Sequence, residues 1–212
     1  MSTEEFNQTS KDIQESMDNQ EPTDNQKLKE DTSFKNKIHS FLLNIVVYGL
    51  IFFVCLYVIP EYVLQRTQVD GPSMENSLHN DEFLMVEKIS YRFDALDRFD
   101  IIVFYPYGRE YKEEYYVKRL IGLPGETVQI IGEDIYINGV ILEEDYGKDP
   151  ISYAGIAAEP IILGEDEYFV LGDNREISED SRYEAVGVLA KKNIGGKAVL
   201  RVWPLNKFGL LK

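Results

Sequence analysis

The chain has 212 residues, with 22 Lys and Arg against 37 Asp and Glu, for a formal charge of −15. That acidity argues against a nucleic-acid binder, which needs a basic face for phosphates. The single cysteine, Cys55, excludes internal disulfides and a cysteine zinc site. The apolar fraction of 44% is ordinary for a globular protein, so most of the chain is expected to fold.

In chain order, residues 1–38 are rich in Glu, Asp, Gln, Asn, Ser and Thr and lack apolar periodicity. They read as a polar cytoplasmic tail without a core of its own. The run FLLNIVVYGLIFFVCLYVI at 41–59 carries no charge and approaches the ~20 residues needed to cross a bilayer. It predicts a signal anchor over 39–60, ended by Pro60. A buried soluble helix and a cleaved signal peptide are the alternatives, and no small-x-small cleavage site follows the run. Lys27, Lys29, Lys35 and Lys37 precede it, which places the N-terminus in the cytoplasm and residues 61–212 outside.

The exported part is written in strands. EFLMVEKI at 82–89 and DIIVF at 100–104 come first, then YYVKRLI at 115–121, ending at the breakers GLPG. TVQII at 127–131 precedes IYINGVIL at 135–142, where Asn138-Gly139 is a two-residue hairpin signal. EYFVLGD at 167–173 and KAVLRVWPL at 197–205 supply the late strands. Helical periodicity is scarce after Pro60, so the expected fold is mostly β: an antiparallel, barrel-like domain behind one transmembrane helix.

Three segments carry candidate chemistry. In VDGPSMENSL at 69–78, Gly71 and Pro72 force a turn directly before Ser73. A serine on a tight turn can present its hydroxyl and backbone N–H together, as a nucleophile with an adjacent oxyanion donor requires; surface turns also commonly contain Ser. In YVKRLI at 116–121, alternation puts Tyr116, Lys118 and Leu120 on one face and Val117, Arg119 and Ile121 on the other. At least one cation should therefore point into an apolar surface. A buried lysine loses hydration of its charged form, its pKa falls, and it can take a proton from a serine. The alternative is an edge lysine that snorkels to water. The third segment, GDNREISEDSR at 172–182, is either a solvated loop or a charge cluster anchored beside the lysine. Of the histidines, His39 precedes the anchor, so only His79 could serve a Ser-His-Asp triad.

These segments, with LMVEK at 84–88 and RFDIIVF at 98–104 between them, resemble in order the boxes of type I signal peptidases. The resemblance spans roughly residues 40–205. It implies a membrane-bound serine endopeptidase that cleaves signal peptides from secretory preproteins after small residues, in an Ala-x-Ala pattern. Ser73 would be the nucleophile and Lys118 the general base. Ser178 would hydrogen-bond the Lys118 amine, while Asp180, Arg182 and Arg119 would form a supporting charge network. Val69, Met74, Leu78, Tyr116 and Val117 would line shallow pockets. No metal or cofactor is implied, and the partners are preproteins and the lipid bilayer. The sequence departs from the family at Asn76, where a proline is common, and at Phe99, where a glycine is usual. Gly187 is reached late, and Gly71 offers no hydroxyl as a second oxyanion donor. Other readings are a peptidase dedicated to one surface substrate, an inactive homologue acting as a binding partner, and a self-cleaving regulator.

Overall fold

The computed structural model describes residues 24–93, 96–110 and 115–211, and the chain forms two compact units, 1–54 and 55–212. Within the first unit, α1 (Asp24–Phe53) starts in the segment read as tail, so residues 24–38 are helical. Residues 1–23 of that tail lie outside the described residues. Helical backbone continues through a π-type turn at Val54–Val58 into α2 (Ile59–Tyr62). Pro60 opens this last helix rather than ending the run. A proline is tolerated in a first helical turn, where its missing N–H has no intrahelical partner to lose. The stretch Lys37–Tyr62 has 26 residues, and an 18-residue window within it has a mean hydropathy of 2.6, so it is long and apolar enough to cross a membrane.

The second unit is antiparallel β. Its larger sheet has eight strands: β1 (Leu64–Gln68), β2 (Phe83–Glu87), β3 (Ile101–Phe104), β4 (Tyr116–Gly122), β9 (Glu167–Leu171), β10 (Leu189–Ala190), β11 (Ile194–Trp203) and β12 (Gly209–Leu210). The spatial order is β1-β2-β11-β3-β4-β9-β10, with β12 on β11. A second sheet holds β5 (Thr127–Ile131), β6 (Asp134–Ile137), β7 (Val140–Ile141) and β8 (Ile161–Ile162), in the order β7-β6-β5-β8. A single-turn helix, α3 (Ser90–Phe93), follows β2.

The patterns that predicted these strands also explain their burial. In β2 alternation sends Leu84 and Val86 inward. All four residues of β3 are buried, because the large sheet carries a core on both faces. Ile101 and Val103 pack with Met74, Leu78 and Val117, while Ile102 and Phe104 pack with Leu120, Val170 and Ile194. A third cluster, built on Ile121, Val128, Ile130 and Phe169, seals the smaller sheet. Truncating a fully buried Leu or Ile there costs ~2–5 kcal/mol. Asn138 and Gly139 turn the β6–β7 hairpin with φ of 52° and 80°, the positive pair that this connection demands. The sequence did not predict β1, LQRTQ, whose apolar content is too low to show alternation. It pairs with β2 along its whole length, from Leu64 opposite Glu87 to Gln68 opposite Phe83.

Candidate active site

Ser73 lies on the loop between β1 and β2. The loop is pinned at its base by Val69 N–H donating to the Glu82 carbonyl (2.8 Å) and Asp81 N–H to that of Val69 (3.0 Å). Gly71, at φ 87°, occupies backbone space that favours glycine, and its N–H donates to Asn80 Oδ1 at 2.8 Å. Met74 and Leu78, 1% and 0% exposed, draw the far side of the loop into the core. Ser73 stays half-buried at the surface, and its carbonyl accepts a hydrogen bond from the Asn174 N–H at 3.1 Å. The nucleophile loop is thereby fastened to the segment that follows β9.

Lys118 sits on β4, an interior strand flanked by β3 and β9 rather than an edge. Register places Lys118 opposite Ile102, and Arg119 opposite Ile101 and Leu171. Both cations are buried, at 4% and 0% exposure. The Lys118 Nζ lies 2.7 Å from Ser73 Oγ, within hydrogen-bond distance. Burial lowers the Lys118 amine from 10.5 to about 8, against the opposing pull of the Asp180, Glu179 and Asp173 carboxylates. At pH 7 about a tenth of this lysine is therefore an uncharged base touching a hydroxyl, a fraction that reaches about half near pH 8.

The pair opens into a cleft of about 550 Å³ lined by Val69, Asp70, Met74, Tyr115, Tyr116, Val117, Ile177 and Glu179 besides Ser73 and Lys118. Of the five residues expected to line pockets, Val69, Met74, Tyr116 and Val117 do so. Leu78 does not, because full burial spends its side chain on the core beneath the loop.

The supporting residues differ from expectation in two respects. Arg119 does not join Asp180 and Arg182 in one network. It makes a two-pronged pair with Asp173, Nε to Oδ1 at 2.9 Å and Nη2 to Oδ2 at 2.8 Å. Arg119 also donates to the Phe99 carbonyl (2.8 Å) and the Ser77 hydroxyl (3.0 Å), and its guanidinium stacks 3.7 Å from the Tyr146 ring centre. Asp180 pairs with Arg182 by two bonds of 2.8 and 2.9 Å and accepts the Gly172 N–H at 3.0 Å. Each arginine thus has its own carboxylate, as two fully buried cations require. The second difference concerns Ser178. Its hydroxyl is fully buried yet has no hydrogen-bond partner among the described residues, so the expected bond to the Lys118 amine is not made.

Gly172 explains the tight fit here. A Cβ at this position would stand 2.1 Å from Ser178 Oγ and 2.5 Å from the Ser73 carbonyl oxygen. Sequence reasoning gave no role to Asp173, Tyr146 or Gly172. The available signal was chemical: a buried arginine on a core strand needs a carboxylate, and Asp173 lies two residues beyond the end of the neighbouring strand. His79 is exposed and lies 3.6 Å from Glu82, not among the cleft residues. Among the described residues no group of His, Cys, Asp and Glu gathers to hold a metal ion.

Residues 42–203 match the family described as signal peptidase, peptidase S26. The chain belongs to that family. A signal peptidase I from Leptolyngbya laminosa is 41% identical over 158 residues, covering 72% of this chain and 75% of its own length. Signal peptidase I P of Bacillus subtilis subsp. natto is 34% identical, covering 74% and 87%. A crystal structure of a signal peptidase I from Enterococcus faecalis V583 shares 37% identity, covering 49% of this chain and 97% of its own, with a TM-score of 0.40. Membership makes the chain a serine endopeptidase of the signal peptidase I type.

Proposed function

We propose that this signal peptidase family member cleaves N-terminal signal peptides from exported preproteins, with Ser73 as nucleophile and Lys118 as general base. The observation that carries the reading is the 2.7 Å contact between a buried amine of depressed pKa and the hydroxyl of a serine held on a pinned turn. Neutral Lys118 takes the Ser73 proton as Oγ attacks the scissile carbonyl, then returns it to the leaving amine. A water activated by the same amine releases the acyl group. The Ser73 backbone N–H makes no hydrogen bond among the described residues, which leaves it available to the developing oxyanion. The Arg119–Asp173 and Arg182–Asp180 pairs act through position, holding β4 against the segment after β9.

Val69, Met74 and Val117 reach the cleft only with the outer atoms of buried side chains, so the pockets they form are shallow. Small side chains one and three residues before the cut fit that floor, which favours Ala-x-Ala sites. Residues 39–60 anchor the chain and 61–212 form the peptidase domain outside the membrane, with residues 1–38 and their lysines on the cytoplasmic side. Protease added to sealed vesicles of known orientation tests this topology.

The enzymatic test uses detergent-solubilised protein, a secretory precursor carrying Ala-x-Ala, and the Ser73→Ala and Lys118→Ala variants. Wild type should cut after the second Ala, and both variants should lose at least about a thousandfold in kcat/KM while keeping their circular dichroism. Unchanged cleavage by either folded variant would refute the pair.

A further inference from the structure

We infer that Asp70 and Glu179 form an acidic rim on the cleft that selects substrates with a basic side chain next to the cut. This rests on the peptidase reading above and adds a charge preference to it. Both residues are exposed and line the same cleft as Ser73 and Lys118. The other carboxylates beside the site are spoken for: Asp173 is paired with Arg119, and Asp180 with Arg182. Among the described residues neither Asp70 nor Glu179 forms an ion pair. Lys118 is the only cation among the described residues that line the cleft, and its amine is already in contact with Ser73.

Glu179 is also held in place. The Tyr116 hydroxyl donates to its Oε2 at 3.0 Å, and the same tyrosine ring lies 5.2 Å from the Lys118 amine. A carboxylate fixed by a neutral donor keeps its charge for a partner that arrives with the substrate, and gives up no other pair to receive it.

Substrate geometry brings a side chain to this rim. In an extended peptide, successive side chains point to opposite sides. Residues one and three before the cut enter the shallow pockets. The residue between them, and the first residue after the cut, are thrown towards the outer wall. A lysine or arginine there meets two carboxylates, and an acidic residue meets like charge. Exposed pairs are individually weak, so the expected discrimination of lysine over glutamate is about fivefold to tenfold in kcat/KM.

The test uses peptides that share the small residues and carry Lys, Gln or Glu at the intermediate position or at the first position after the cut. Wild type should favour Lys over Glu at one or more of these positions, and less so as salt is raised. The Lys:Glu ratio should fall towards one in Glu179→Gln and Asp70→Asn, and reach it in the double variant. Because the ratio is taken within each enzyme, a general loss of activity cancels. Binding of the same labelled peptides to Ser73→Ala, followed by fluorescence anisotropy, reads the preference without chemistry. Peptides that bind with this preference but are never cut by wild type would count against the peptidase reading alone. Equal cleavage and binding of Lys and Glu peptides at both positions would overturn the rim, as would a preference that survives in the double variant.

Discussion

Lys118 is a buried base at the edge of the cleft, and two measurable consequences follow. The first is kinetic: kcat/KM should climb with pH to an inflection near the pKa of about 8, with a flat profile from pH 6 to 9 as the contrary result. The second is thermodynamic. The amine titrates at about 8 when folded and at ~10.4 when unfolded, so between those values the unfolded chain binds the extra proton. Stability from this group therefore rises with pH across that window and is constant below it, where both states are charged. At neutral pH the folded state bears the cost of a largely buried ammonium. Lys118→Met, similar in length but apolar, should raise stability at pH 7 by about 2 kcal/mol in urea melts while abolishing cleavage. Gly172→Ala works by shape, because its methyl group would collide with Ser178 and the Ser73 carbonyl. A loss of at least about a hundredfold in kcat, with little change in KM, is expected from displacing the nucleophile; near-normal turnover would show that the loop yields. The segments that carry Ser73 and Lys118 stood out in the sequence because a Gly-Pro turn and a lysine in an apolar strand are local features, and the structure brings the two side chains into contact. Asp173 did not, because a partner for Arg119 is chosen by strand register, which emerges only once β4 and β9 are paired.

Strands repeat the lesson. Segments with clear alternation, such as β2 and β5, stand within a residue or two of where the pattern put them, and the Asn-Gly hairpin turns where expected. The strands left unread, β1, β8, β10 and β12, are polar or only two residues long. They form because a neighbouring edge offers them hydrogen bonds, not because their own pattern demands it. Phe99 is another case where surroundings dominate. The family usually has glycine here, and Phe99 holds φ at 73°, a left-handed value costly to a side chain. Its ring lies 5.0 Å from that of Tyr146, and its carbonyl accepts from Arg119. Replacing it separates strain from packing. Phe99→Ala forfeits the ring and keeps the strain, whereas Phe99→Gly forfeits the ring and relieves it. The glycine variant should therefore be more stable than the alanine variant by about 1 kcal/mol in parallel thermal melts. The reverse order would mean that the backbone has relaxed.

The chain divides into units 1–54 and 55–212, and in the function proposed above the first holds most of the anchor and the second the chemistry. A fragment that begins at Cys55 should keep β-rich circular dichroism and cleave short peptides, yet fail to sediment with phospholipid vesicles. An unfolded fragment would show that the first unit supports the fold. Within 55–212, order in space departs sharply from order in the chain. The strand wedged between β2 and β3 is β11, residues 194–203. Ser73 and Lys118 are 45 positions apart, yet they meet only in a sheet whose middle is filled from far downstream. A ribosome that has delivered both residues has not yet delivered the strand that completes the sheet around them. The growing polypeptide should therefore lack the Ser73–Lys118 contact until synthesis has passed β11, so an unfinished chain is expected to be idle.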